Sequence, residues 1–192
     1  MDLKKILSKK ASQVAADIEL SEEAVQLLND DISPADYLKS LIDAVLINDA
    51  ILFLARAMPR REATWWACLS ARYSVSDSTS PQDVKALELV ERWVFKPTDE
   101  NRYAAHEAAE AVSNESPVYW SGMASFWSGG SLSAPGVAAI EPAENICSLA
   151  VAGAVTLAGL SDDPAQTSAS YDLLVRQGLA IANGENAREV TA

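Results

Sequence analysis

Ser33-Pro-Ala-Asp-Tyr-Leu-Lys-Ser-Leu-Ile-Asp-Ala-Val-Leu46 opens with a hydroxyl, a proline and, three residues after the serine, a carboxylate. This is the chemistry of a helix start. The serine oxygen accepts from free first-turn N–H groups, and Pro34 sits where its missing N–H would have had no partner. The carboxylate answers the positive end of the helix dipole. Behind it the apolar residues fall at Leu38, Leu41, Ile42, Val45 and Leu46, the spacing of one helical face. The same punctuation recurs at Ser80-Pro-Gln-Asp83, Glu141-Pro-Ala-Glu144 and Asp163-Pro-Ala-Gln166, with Glu141 the weakest cap of the four. No stretch alternates apolar and polar residues long enough to argue for a strand. The expected fold is all-α: an irregular multi-helix bundle, a single helical domain over residues 1–192, with 1–20 and 185–192 peripheral or frayed.

Outward from the first start, the face continues to Leu52 and Phe53 past an interruption at Asn48-Asp49. This leaves open one helix or two, the second capped by Asp49. Pro59 starts the next helix, Arg60 to about Tyr73, and a serine-rich loop follows. Val84, Leu87, Val90 and Val94 stripe a helix that Pro97 closes. Thr98 caps another whose apolar face is mostly Ala105, Ala108 and Ala109. Ser116-Pro117 opens an aromatic segment, and Ser128 to Gly136 reads as a flexible glycine-serine loop. Two helices end the chain, about 142–160 and 164–183, with Gly184 as a stop. The run Ile146–Leu160 is rich in alanine and glycine and too short to span a bilayer, so it reads as a buried small-residue helix.

The net charge of −12 is uneven. Residues 1–96 hold 12 Lys/Arg against 15 Asp/Glu, and residues 97–192 hold 3 against 12. Such a surface repels phosphate backbones and lacks the basic stripe of a nucleic-acid binder, so a charged partner should be basic. The stretch Leu3-Lys-Lys-Ile-Leu-Ser-Lys-Lys10 reads as a solvated amphipathic helix rather than a membrane anchor, and it carries no export h-region. Cys68 and Cys147 stand in apolar helical runs without metal or redox spacing, as expected of thiols in a reducing cytoplasm.

Few residues offer chemistry. His106, the single histidine, has Glu110 one turn on, but two ligands without a third do not make a metal site, and the alanine face puts it at the flank or in solvent. There is no phosphate loop, no GxGxxG and no nucleophile elbow. No catalytic residue, metal or cofactor is therefore expected, although carboxylate-only enzymes carry no such motif. Asp49 falls on the apolar stripe and must be paired or serve as a cap; free helical N–H groups, Arg56, Arg72 and the indoles of Trp65 and Trp66 are its candidate partners. Trp65-Trp66 follow Arg60-Arg61 by one turn, and adjacent residues on a helix cannot both face the core. One ring should be partly exposed, under Arg61 or Arg72 as a cation–π pair. Trp120 and Trp127 flank the approach to Gly129-Gly130, in a loop with few side chains to hold it. Both pairs of rings read either as core or as the rim of a protein-binding surface.

The block Asp49 to Tyr73, with its string Leu54-Ala-Arg-Ala-Met-Pro-Arg-Arg-Glu-Ala-Thr-Trp-Trp66, resembles the hallmark segment of an uncharacterised family of small helical bacterial proteins, some encoded near type VI secretion genes. The likeness extends over most of the chain, through Trp93 and the small-residue helix at 146–160. It brings no activity, cofactor or catalytic residue. What it implies is a setting, an accessory or adaptor protein of the bacterial cytoplasm. The function expected is non-enzymatic protein interaction. The alternatives are a chaperone or immunity protein masking a basic secreted effector, and an enzyme using carboxylates in a helical cleft.

Overall fold

The computed structural model describes residues 3–134 and 136–190; Met1, Asp2, Pro135, Thr191 and Ala192 lie outside them. Among the described residues it is all helix and turn, with no strand. In chain order the helices are α1 (Ala11–Ala15), α2 (Glu22–Leu27), α3 (Pro34–Asp43), α4 (Ile47–Ala57), α5 (Arg60–Tyr73), α6 (Pro81–Phe95), α7 (Asp99–Glu110), α8 (Pro117–Phe126), α9 (Ile146–Gly159) and α10 (Pro164–Asn183). A 3-10 turn at Ala187–Glu189 ends the chain.

The capping chemistry sets most of the starts. Ser33, Ser80, Thr98, Ser116 and Asp163 each accept a first-turn N–H through their side chains. The expected start at Glu141 is corrected. Residues 141–145 are not helical, and α9 begins at Ile146 behind Asn145, with no side-chain cap. Of the one helix or two left open around Asn48-Asp49, two form, but the break lies earlier. The chain turns at Ala44–Leu46, where Val45 is left-handed (φ 61) and the Leu46 N–H reaches back to the Leu41 carbonyl at 2.9 Å. Asp49 therefore lies in the first turn of α4 rather than before it.

The small-residue helix α9 is the buried element. It packs on α4, α5, α8 and α10, and Ala150, Val151, Ala154 and Val155 are sealed from water. Its short side chains let neighbours approach closely, and the Trp120 ring lies over Gly153. The main core joins α3, α4, α5, α9 and α10 around Tyr37, Leu38, Phe53, Leu54, Trp66 and Leu174. Each such side chain contributes roughly 1.5–3 kcal/mol through burial. A second cluster, with Cys68, Leu87, Val90, Trp93 and Val118, lies where α5, α6, α7 and α8 meet. The bidentate pair Arg72–Glu91, at 2.8 and 2.9 Å, ties α5 to α6.

The amphipathic helix expected at the N-terminus does not form. Residues 3–10 are irregular and dock on α10, where the Lys5 N–H donates to the Ala182 carbonyl at 2.8 Å and Leu3 and Ile6 pack against the core. Tertiary contact satisfies both the apolar residues and the backbone, so the helix is not needed for either.

Candidate functional site

Asp49 is held by a residue 28 positions upstream. Ser21, which caps α2, donates its backbone N–H to Oδ1 of Asp49 at 2.8 Å and its hydroxyl to Oδ2 at 2.9 Å. The same hydroxyl accepts from Ala24 N–H at 3.1 Å. In a capping box the reciprocal acceptor comes from the third residue of the same helix. Here a carboxylate on α4 supplies it, so Asp49 fastens α2 to α4. None of the partners expected for Asp49 among Arg56, Arg72 and the two indoles is used. Its charge, after burial, helps push the Tyr37 phenol up to about 12, and that hydroxyl donates to the Ala24 carbonyl beside Ser21.

The two tryptophans of α5 part company. Trp66 is wholly buried and donates its indole N–H to the Leu174 carbonyl at 2.8 Å, which places its ring in the core and out of a partner's reach. Trp65 is half-buried, meets the Phe95 ring edge-on at 5.7 Å and carries a cation 4.8 Å above its face. That cation is Arg188, not the expected Arg61 or Arg72. Arg61 instead donates its Nε to the Val94 carbonyl at 2.7 Å, and Arg72 pairs with Glu91. Sequence distance hid Arg188, which arrives from the terminal 3-10 turn.

The glycine-serine loop is also corrected, from loosely held to pinned. Arg102 is buried (3 % exposed) inside the acidic half of the chain. Its guanidinium donates to Asp99 at 3.0 Å, to the Phe126 carbonyl at 3.1 Å and to the Ser131 carbonyl at 3.0 Å, and lies near the rings of Tyr103 and Phe126. Tyr103 donates its hydroxyl toward the Ser131 and Ser133 carbonyls. Arg60 reaches the Ser128 and Glu144 carbonyls from α5. Gly130 is left-handed (φ +71), and a Cβ there would lie 2.8 Å from the Arg102 fork, so only glycine fits without a shift. The Leu132 N–H bonds to the Ile140 carbonyl at 2.8 Å and closes the loop. Arg102 was legible by one rule. It precedes Ala105 and Ala109 by three and seven residues and so shares their buried stripe.

What this framework projects is apolar. Residues 136–141 are exposed, with Val137 at 64 % and Ile140 at 61 %. Asp99 and Glu100 line the same hollow as Val137, and Glu141 and Glu144 follow in the chain, both exposed. Trp120 and Trp127 are not free rings at its rim. Trp120 is half-buried, donates to the Asn114 carbonyl at 2.9 Å and lies over α9, and Trp127 packs against the main core.

His106 lies at the flank of α7, half-buried rather than in solvent. Its ring stacks on Phe126 with centroids 3.7 Å apart, and burial lowers its pKa against the pull of Glu110. Among the described residues no three His, Cys, Asp or Glu side chains gather to hold a metal. Cys68 and Cys147 are buried free thiols, and burial raises both, Cys147 to about 11. A cleft of about 770 Å³ opens where α5, α6, α8, α9 and α10 end or begin. Its lining is mostly hydroxyl, with one carboxylate, Asp83, which already accepts from the Ser80 and Ser116 hydroxyls. Paired-carboxylate hydrolysis needs a second acid across the gap, and none of the described residues that line this cleft supplies one.

A family model described as a family of unknown function, DUF6931, matches residues 37–182. The chain belongs to the DUF6931 family. Neither the curated proteins nor the solved structures contain a match to it. The DUF6931 match runs from α3 to the end of α10. It holds Asp49, Arg102 and the pinned loop, while Ser21, the partner of Asp49, lies before it. No helix among the described residues is long and apolar enough to cross a membrane.

Proposed function

We propose that this DUF6931 protein works by docking to another protein, through the edge Val137-Ala-Ala-Ile140, rather than by catalysing a reaction. The observation that carries the reading is a pair of apolar side chains held in water by a loop that Arg102, Arg60 and Tyr103 fix in place. A pre-organised apolar projection gives up little conformational entropy on binding, which is what an interface anchor requires. The carboxylates around it select a partner whose apolar spot is ringed by lysine or arginine, and they repel nucleic acid. The setting proposed, an accessory protein of the bacterial cytoplasm associated with type VI secretion, rests on the resemblance of the Leu54–Trp66 block. A basic effector masked by a chaperone or immunity protein would meet the same edge, and its gene would stand beside this one.

The test compares capture from the native host by the wild-type protein and by a Val137→Asp/Ile140→Asp double variant of equal melting temperature. A protein bound by the first, lost by the second and bound again when both partners are purified supports the reading. Identical capture by the two overturns it.

A further inference from the structure

The acidic edge has a counterpart on the same chain. Phe95, at the end of α6, leaves 66 % of its surface in water and stands against Trp65. With Val94 these rings wall a pocket of about 330 Å³ that Lys5, Arg61 and Glu62 also line, Lys5 pairing with Glu62 at 3.6 Å. Arg61 spends only its Nε, on the Val94 carbonyl, and no other hydrogen bond of its fork is made among the described residues. Arg188 adds a second guanidinium over Trp65. In a chain of net charge −12 this is a cationic, aromatic patch. The edge at 137–140 is its inverse, aliphatic, with Glu100 and Glu141 beside it, while Asp99 and Glu144 pair with Arg102 and Arg56.

Consecutive residues of α5 connect the two surfaces. Arg60 reaches the carbonyls of Ser128 and Glu144 that frame the edge, and Arg61 reaches the carbonyl of Val94 beside the patch. Surfaces that flank one helix end, and that complement each other in charge and apolarity, are the ingredients of an isologous contact. A two-fold axis sets each patch on the other copy's edge, and both contacts form at once. We propose that the partner which fits this edge is a second copy of the chain. Val137 and Ile140 dock on Phe95 and Trp65, and Glu141 faces Arg61. The proposal rests on the reading of the edge as a docking surface. Local ion pairs act within the screening length of about 8 Å at physiological salt, whereas the repulsion between two acidic chains acts largely beyond it.

Charge exchange tests the proposal. By light scattering at micromolar concentration the wild-type protein should be a dimer. Arg61→Glu and Glu141→Arg should each weaken association about tenfold or more, because each sets like charges together twice. Mixing the two variants should restore the dimer, since both contacts of the mixed pair are then complementary. Arg61 also caps the end of α6, so Phe95→Lys, at an exposed ring, serves as a second disrupting variant should Arg61→Glu fail to fold. A wild-type monomer, a dimer that survives Val137→Asp/Ile140→Asp, or a mixture that stays monomeric overturns self-pairing. Should the wild type be monomeric while the edge variant still loses a captured heterologous partner, self-pairing falls and the docking edge stands.

Discussion

The indole of Trp66 lies against the backbone of α10 at Gly178, donating to the Leu174 carbonyl one turn earlier. A methyl group on Gly178 would sit 2.7 Å from Cε2 of Trp66 and 2.9 Å from Cδ2 of Leu54. Glycine in mid-helix normally costs about 0.5–1 kcal/mol against alanine. Here the close approach of ring to backbone outweighs that cost. Gly178→Ala should destabilise the protein by a net 1–2 kcal/mol or so, the overpacking exceeding the gain in helix propensity, as read from urea midpoints. A more stable alanine variant would mean that the contact is looser than described.

Asp49→Ala removes both acceptors of Ser21 and leaves a partly buried N–H and hydroxyl unpaired. The expected loss is about 1–3 kcal/mol. Asp49→Asn, which keeps an acceptor for the N–H, should fall between it and wild type. Ser21→Ala in the Asp49→Ala background should then cost only about 1 kcal/mol more, the loss of the cap on Ala24, because its bonds to Asp49 are already gone. An Asp49→Ala protein that melts like wild type yet loses its partner would make this carboxylate part of a binding pocket instead.

Arg102→Lys keeps the charge, but an ammonium cannot serve Asp99, Phe126 and Ser131 with the fixed geometry of a guanidinium. About 1.5–3 kcal/mol should be lost, and the amides of Leu132 and Ile140 should exchange faster. Unchanged exchange there would show that Arg60 and Tyr103 hold the loop without it.

Burial holds the pKa of His106 below its ordinary value of 6.5, Glu110 opposing this and Arg102 assisting it. The unfolded chain therefore binds the proton more tightly than the folded one. The contribution of His106 is complete above 6.5 and is lost as the pH falls from there through the folded value. The stability difference between wild type and His106→Asn should accordingly shrink on acidification from about pH 7.5 to about pH 5, measured by urea midpoints at each pH. A difference that stays constant or widens contradicts this.

What was legible from sequence was local. Ser33, Ser80, Thr98, Ser116 and Asp163 announce helices because a cap acts within three residues of itself, and the alanine-rich α9 announces its own burial. Glu141 misleads for the same local reason: the motif has the right spacing, but the helix starts at Ile146. The site depends on distance. Asp49 advertised that it needed a partner, and Ser21 lies 28 residues away. The cation over Trp65 comes from position 188 rather than from a neighbouring turn. The glycine-serine loop reads as flexible from its composition, yet it accepts hydrogen bonds through its carbonyls, which every residue has and no composition reveals.

Hydrogen exchange over residues 131–134 and 136–144, in the monomer obtained by dilution and in the complex with a second copy or a purified partner, tests the docking edge most directly. A pre-organised edge exchanges slowly at the Leu132 and Ile140 amides in the free protein, where both are hydrogen-bonded. Docking slows exchange further across 136–144, centred on Val137 to Ile140, in the complex. Fast exchange at Leu132 and Ile140 in the free protein, or unchanged exchange across 136–144 in a saturated complex, would contradict it.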